Sequence, residues 1–166
     1  SSESRGLGDV YKRQGWMNAM KAFDYSRPVV AAQAVGVSRA AYEHALSYSN
    51  ERMSFGRKLH QHQAIQFMLA DMKTKIEASR LLCLKSAWEA DNGIRNTESA
   101  AHAKRFSADT CMEVTTDAVQ IFGGYGYSEE YPVARLMRGA KVLQIYEGSS
   151  QTVSYTHLTL PTKPFV

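Results

Sequence analysis

The sequence is poor in cysteine and in long apolar runs, and each scarcity excludes a class of protein. Only two of its 166 residues are cysteines, Cys83 and Cys111, and neither lies in a spacing typical of a metal or redox site. They indicate a reducing compartment without disulfides. No apolar run is long enough to cross a membrane, and the first residues lack the layout of a signal peptide. The composition therefore predicts one globular domain with no membrane association.

The positive charge is too small and too scattered to indicate nucleic-acid binding. The net charge is +4, and residues 1–14 and 153–166 each contribute +1 of it. In between, the basic residues alternate with acidic ones, which is typical of helix faces in contact with water. We expect no nucleic-acid partner, although a few of these cations could meet the phosphates of a small ligand.

The two end segments differ in character from the rest of the chain. Residues 1–14 and 153–166 lack helical periodicity, and the second segment contains two prolines, which break helices. Both resemble translated adapter reads found at the ends of assembled transcripts. We therefore predict that they are not native and that the domain occupies residues 15–152. We expect the native protein to continue beyond both boundaries.

Apolar residues at helical spacing predict an all-α fold for the domain. The first helix is expected to begin around Phe23–Pro28, where Asp24 or Ser26 could cap it and where proline is tolerated. Another helix should begin after Ser149–Ser150, with serine as its cap. No strand is predicted between residues 15 and 152. Short loops favour an up-down four-helix bundle with its last helix truncated. The predicted helices are 23–52, 62–91, 97–122 and 132–143.

Glu147 is the candidate for acid-base chemistry. It follows the apolar Ile145 and Tyr146 and precedes Gly148. A carboxylate beside apolar side chains can lose part of its hydration and become a usable base. The other interpretation is an exposed acid before a helix, where the helix dipole favours negative charge. The residues alone leave both interpretations open.

Three further segments could contact a ligand. The glycines of Gln120–Gly126 follow a helix and could pack against an adenosine; they are no Rossmann fingerprint, which follows a strand. Arg52–Gly56 offers a cation, a hydroxyl group and an aromatic ring. The other interpretation of both segments is a helix end followed by a turn. Similarly, Asp24 and Arg27 could bind a ligand or pair locally. No metal site is predicted, because His60 and His62 lack a third ligand at a fitting spacing.

Taken together and in this order, six segments resemble the C-terminal helical domain of the acyl-CoA dehydrogenase family. The resemblance runs from about Phe23 to Gln151 and is closest to the medium-chain branch. The family's N-terminal helical domain and middle β-domain have no counterpart here, so the resemblance implies a fragment that we expect to be inactive alone. The segments are FDYSRPVVAA, ERMSFGRKLHQHQAIQFMLADM, AWEADNG, TDAVQIFGGYGY, EEYPVARLMR and QIYEGSSQ.

The resemblance implies a specific reaction. Enzymes of this family use FAD to remove two hydrogens from a fatty acyl-CoA, giving the trans-2-enoyl-CoA. A carboxylate takes the α-proton, the β-hydride passes to FAD, and electron-transferring flavoprotein receives the electrons. Glu147 matches this base. In some branches the base lies on the first helix of this domain, but here no glutamate precedes Glu43 in that helix.

The resemblance also assigns binding residues and a homo-oligomer, usually a tetramer built from dimers. FAD contacts across a subunit interface match Arg52, Met53, Ser54, Phe55, His62 and Gln63. Contacts to the adenosine end of FAD match Gln120, Ile121, Phe122, Gly123 and Gly124. A stretch that touches FAD and substrate matches Gly148, Ser149, Ser150 and Gln151. Substrate binding is further assigned to Asp24, Tyr25, Ser26 and Arg27.

Two other functions are compatible with the same residues. An acyl-CoA oxidase shares the helical domain, and a non-enzymatic helical interaction module would need no FAD. The module leaves the glycine turn and the Glu147 loop without a role, so we rank it below an enzyme. Likeness to the medium-chain branch implies the mitochondrial matrix in a eukaryote, with the bacterial cytoplasm as the alternative.

Overall fold

The protein is built from helices, which confirms the predicted all-α class. The computed structural model describes residues 14–159, apart from the side chains of residues 14, 16, 17 and 155–159. Short 3-10 turns at Leu59–Gln61 and Gly123–Tyr127 lie between helices. Apart from the first, the predicted helices agree with the structure to within one residue. The helices are α1 (Gln14–Glu51), α2 (Gln63–Asp91), α3 (Thr97–Phe122), α4 (Pro132–Leu143) and α5 (Ser150–Thr159).

Helix α3 forms the centre of the bundle and packs against the other four helices. Its small residues Ala108 and Ala118 share buried clusters with Ala34 and Ala41 of α1, and all four are without exposure to solvent. Small side chains let two helix backbones approach closely. Larger side chains fill the end of the bundle near Phe122, whose ring stacks on that of Tyr48 with 4.0 Å between centroids.

The predicted start of the first helix is wrong, because α1 begins at Gln14 and continues through Pro28. Proline lacks an N–H group, so the carbonyl of Asp24, four residues earlier, loses its helical donor. The side chain of Asn96, just before α3, replaces that donor with Nδ2 at 2.9 Å from the Asp24 oxygen. The next residue, Thr97, adds a second contact, because its hydroxyl group donates to Asp24 Oδ2 at 2.8 Å.

The expectation of no strand is also wrong, although the exception is small. Met53–Ser54 and Arg57–Lys58 pair as an antiparallel hairpin after α1. Its two turn residues, Phe55 and Gly56, have φ angles of 49° and 77°. Positive φ at both positions is typical of a type I′ hairpin turn, and glycine adopts it easily whereas phenylalanine rarely does. Strands of two residues are too short for alternation to be visible in the sequence.

Helix α5 begins where the sequence predicts a new helix. Ser149 caps it, since its Oγ accepts from the Thr152 amide at 3.3 Å. The helix continues to Thr159, past the predicted boundary at 152, and Val153 is buried. Residues 1–13 and 160–166, which include most of the two predicted end segments, lie outside the described residues. Within residues 14–159 no helix is long and apolar enough to span a membrane.

Candidate functional site

Glu147 lies on the turn that joins α4 to α5. Its φ angle is 58° and that of Gly148 is 95°, so two consecutive residues adopt the left-handed conformation. Such a conformation is rare for a residue with a side chain and is found where surrounding contacts impose it. A Cβ atom on Gly148 would lie 3.1 Å from a methyl group of Val153, so the packing of α5 also favours glycine there.

Two residues of α1 reach this turn from 120 positions away in the chain. The hydroxyl group of Ser26 donates to Glu147 Oε2 at 2.7 Å. The buried guanidinium of Arg27 donates through Nε to the main-chain oxygen of Glu147 at 3.4 Å. Thus the predicted base and half of the predicted substrate-binding stretch come together. Here the base cluster means Ser26, Arg27, Lys104, Glu147 and Gly148.

Two charged residues of α3 form hydrogen bonds to the turn and to its two ends. Lys104 has no exposed surface and donates through Nζ to the carbonyl oxygen of Gly148 at 2.5 Å. Asp109 Oδ1 accepts from Gln144 Nε2 at 2.7 Å and from Ser150 Oγ at 2.8 Å. These bonds fix both ends of the turn, and the base lies between them.

The base cluster concentrates positive charge around one carboxylate. Burial lowers the pKa of Arg27, and the acids Asp24 and Glu147 partly offset that effect. Burial also lowers the pKa of Lys104, Arg27 lowers it further, and Asp109 and Glu147 oppose the shift. Both cations are therefore placed in surroundings that penalise charge, and the acids nearby reduce the penalty.

The rest of the predicted substrate-binding stretch has mixed positions. Tyr25 is 70% exposed and lies outside the cluster. Asp24 is anchored to the start of α3 through Oδ2, but its other oxygen, Oδ1, is buried with no hydrogen-bond partner among the described residues. A buried carboxylate oxygen without a donor is costly, so this atom is an available acceptor for a ligand group.

A second site lies where α1 ends and α3 ends. A cavity of about 500 Å³ is lined there by residues of both helix ends, and we call it the glycine-turn groove. Six residues predicted to bind cofactor line it: Arg52, Ser54, Ile121, Phe122, Gly123 and Gly124. The guanidinium of Arg52 lies 5.3 Å from the ring centroid of Tyr125, which also lines the groove. A Cβ atom at Gly123 or Gly124 would meet nothing within 4 Å, so the groove has free space beside the backbone of both glycines.

The remaining predicted cofactor residues do not line this groove. His62 supports it indirectly, because its Nε2 contacts the main-chain oxygen of Ser54 at 3.1 Å. Phe55 is 96% exposed at the tip of the hairpin. Ser149 and Ser150 act at the start of α5, as described above. Gly148 belongs to the base cluster, and the others are exposed to solvent: Met53, Gln63, Gln120 and Gln151.

The base cluster and the groove lie toward opposite ends of α3. Lys104 and Ile121 are 17 residues apart in that helix, which corresponds to about 25 Å along its axis. The two sets of predicted FAD contacts are therefore distinct sites within one chain. Among the side chains that the structure describes, no group of three or more histidine, cysteine, aspartate or glutamate residues could hold a metal ion.

Lys104, Asp109 and Asn96 are absent from the sequence-based prediction of the site. The signal for Lys104 was present, since it falls on a stripe of small residues, Ala100 and Ala108, four positions away on either side. A lone lysine on an apolar stripe indicates a buried charge with a specific partner. The roles of Asp109 and Asn96 depend on segments far along the chain, so no local pattern reveals them.

The chain is similar to known acyl-CoA dehydrogenases. The family model for the acyl-CoA dehydrogenase C-terminal domain matches residues 13–154. Over 145 residues, covering 87% of this chain, it is 54% identical to a short-chain-specific acyl-CoA dehydrogenase of Megasphaera elsdenii and covers 37% of that protein. It is 49% identical over 145 residues to a cyclohexane-1-carbonyl-CoA dehydrogenase of Geobacter metallireducens, with 87% of this chain and 38% of the relative covered.

A solved structure agrees in fold. It is described as the electron transferring flavoprotein of Acidaminococcus fermentans, and it matches with a TM-score of 0.85 and 49% identity, covering 88% of this chain and 38% of its own. The chain thus spans well under half the length of the proteins that it resembles.

Proposed function

Because the chain belongs to the acyl-CoA dehydrogenase family, within its C-terminal domain, we propose that it provides the catalytic base and part of the FAD site of an enzyme that dehydrogenates acyl-CoA thioesters. The observation that carries this proposal is the contact between Ser26 and Glu147. It brings the base and the substrate-binding stretch together from opposite ends of the domain. A surface acid before a helix would not need the half-buried Ser26 and the buried Arg27 as hydrogen-bond partners.

In the proposed reaction, the carboxylate of Glu147 takes the α-proton of the thioester. Ser26 donates to Oε2 and so fixes the rotation of the carboxylate, which leaves Oε1 to receive the proton. Arg27 holds the main chain of the same residue. The unpartnered Oδ1 of Asp24 is the acceptor that we assign to a donor group of the substrate. These residues bind, orient and deprotonate.

The glycine-turn groove fits part of FAD. Arg52 offers a cation and Ser54 a hydroxyl group, which suit phosphate oxygens, and Gly123 and Gly124 leave room for a flat group against the backbone. Bound FAD would supply the hydride acceptor for the β-hydrogen. Since the groove and Glu147 lie at opposite ends of α3, we propose that the groove of one subunit serves the cofactor beside another subunit's base.

A substitution in the holoenzyme that contains this chain tests the base. Glu147→Gln keeps the size of the side chain and its contact with Ser26 but removes the proton acceptor. We expect the rate of flavin bleaching by acyl-CoA under anaerobic conditions to fall at least about 1,000-fold, with FAD still bound. Glu43→Gln is the matched control, because Glu43 is exposed and forms an ion pair with Arg39 on the same helix, away from the base cluster. Unchanged bleaching in Glu147→Gln would remove this residue from the mechanism.

The finer assignments are also proposals. Medium-chain thioesters are the substrates that the resemblance implies, whereas the relatives named above are described as acting on short-chain and cyclohexane-1-carbonyl thioesters. Rates with butyryl-, octanoyl- and cyclohexanecarbonyl-CoA distinguish these classes. We propose electron-transferring flavoprotein as the electron acceptor and a tetramer as the assembly, located in the mitochondrial matrix or, in a bacterium, in the cytoplasm. Rapid reoxidation of the reduced flavin by oxygen would favour an oxidase.

A further inference from the structure

Lys104 is the largest side chain in the described part of the protein that is buried almost completely. Moving an ammonium group out of water costs several kcal/mol unless it is paired. A methionine has a similar length and would occupy the same space without that cost. The position therefore calls for a specific contact that an apolar side chain cannot make.

That contact is the carbonyl oxygen of Gly148, the residue after the proposed base. In the left-handed conformation a residue does not continue a helix, so its carbonyl needs a donor from elsewhere. The turn has two such carbonyls in succession. Arg27 donates to the first, on Glu147, and Lys104 donates to the second. Two buried cations from different helices thus hold two consecutive peptide groups.

The surroundings of Lys104 offer it little compensation. Arg27, from α1, repels it, while Asp109 of α3 and Glu147 of the turn attract it. Asp109 is already bonded to Gln144 and Ser150. Of the bonds available to the ammonium, the one to Gly148 ties α3 directly to the conformation of the turn.

We propose that Lys104 is a positioning residue: by bonding Gly148 it holds the turn in the left-handed conformation that directs Glu147 at the reacting carbon. The inference rests on the proposed function for its catalytic consequence, but not for its structural one. Lys104 itself touches neither substrate nor the reacting atoms. Its removal should therefore lower the rate of proton abstraction more than it weakens substrate binding.

Amide hydrogen exchange in the 166-residue chain tests the structural part. The amides of Ser150 and Val153 are bonded to Gln144 and Ser149 and report on the closed turn. In Lys104→Met we expect their protection to fall by about 10-fold to 100-fold, with little change in the middle of α2. Lys73→Met is the matched control, because Lys73 is exposed and forms an ion pair with Glu77 on its own helix. An equal loss of protection in every helix would overturn the proposal, since Lys104 would then support the fold as a whole.

A measurement on the unsubstituted chain covers the case in which Lys104→Met does not fold. NMR with labelled lysine and glycine should show a coupling across the hydrogen bond between Nζ of Lys104 and the carbonyl carbon of Gly148. The ammonium protons should also exchange with water far more slowly than those of Lys73. Exchange of the Lys104 protons as fast as those of Lys73 would overturn the proposal.

The catalytic part is tested in the holoenzyme. Lys104→Met should lower kcat by about 10-fold to 100-fold with KM changed less than about threefold and FAD retained. An unchanged kcat would overturn the positioning role. A failure of the positioning role can be told apart from a failure of the proposed function. Glu147→Gln tests the base independently, and the hydrogen-exchange experiment does not require any activity.

Discussion

Asn96 supplies the hydrogen bond to the Asp24 carbonyl that Pro28 removes from α1, so its loss should destabilise the fold. Pro28 removes the donor for the carbonyl of Asp24 inside α1, and Asn96 Nδ2 lies 2.9 Å from that oxygen. The contact is partly buried and Asn96 is 6% exposed, so in Asn96→Ala the carbonyl would lose its protein donor where access to water is restricted. A buried polar group without a partner costs about 1–3 kcal/mol. We expect Asn96→Ala to lower the free energy of unfolding by about 2 kcal/mol.

A double-mutant cycle separates this role from the other contacts of Asn96, which also reach Ser86. In Pro28→Ala the new N–H group can bond the Asp24 carbonyl within the helix. The cost of Asn96→Ala in that background should therefore be smaller by about 1 kcal/mol. Urea unfolding of the 166-residue chain, followed by far-UV circular dichroism, measures each free energy.

Asn92 supplies the matched control for the cycle. Its Nδ2 also donates to a main-chain carbonyl, that of Trp88 at 2.8 Å, but it is exposed and this bond lies within its own helix end and not with α1. The effects of Asn92→Ala and Pro28→Ala should add within about 0.5 kcal/mol. If Asn96→Ala and Pro28→Ala add equally well, Asn96 does not replace the missing donor and the explanation of the uninterrupted helix is refuted.

Two further predictions concern the glycine turn and a buried thiol. A Cβ atom on Gly126 would lie 2.6 Å from the Val119 oxygen, so Gly126→Ala should lower the free energy of unfolding in urea by more than about 2 kcal/mol. A Cβ atom on Gly124 would meet nothing within 4 Å, so Gly124→Ala should cost less than about 1 kcal/mol. Equal costs would contradict the packing argument. Burial raises the pKa of Cys111 from 9.0 to about 11. Between these values the unfolded chain binds fewer protons than the folded one, so stability should fall with rising pH, by about 2 kcal/mol at pH 10.5, and this part of the slope should be absent in Cys111→Ala.

Much of the architecture could be predicted from the sequence because helix formation is local. Apolar periodicity predicted α2 and α3, Gly123 correctly marked the end of α3, and Pro132 correctly marked the start of α4. The start of α1 could not be predicted in this way. Local rules treat Pro28 as a boundary, but a side chain from just before α3 supplies the missing hydrogen bond.

The candidate site, like the fold, could be predicted only where its residues are adjacent in sequence. Residues adjacent in sequence, such as Gly123 and Gly124, could be recognised as a group from their own segment, and Glu147 stood out beside an apolar run and a glycine. That the carboxylate is bonded to Ser26, and that the turn is held by Lys104, depends on how three helices pack.

The positions of most helices and the residue types available for chemistry follow from local sequence, because backbone hydrogen bonding and side-chain size act over a few residues. Which of those residues meet depends on how the helices pack. The base cluster joins α1, α3 and the turn after α4, and its bonds span 44 to 121 residues. Contacts of that range have no periodic signature, since they arise when apolar faces bury one another and bring distant polar groups into reach.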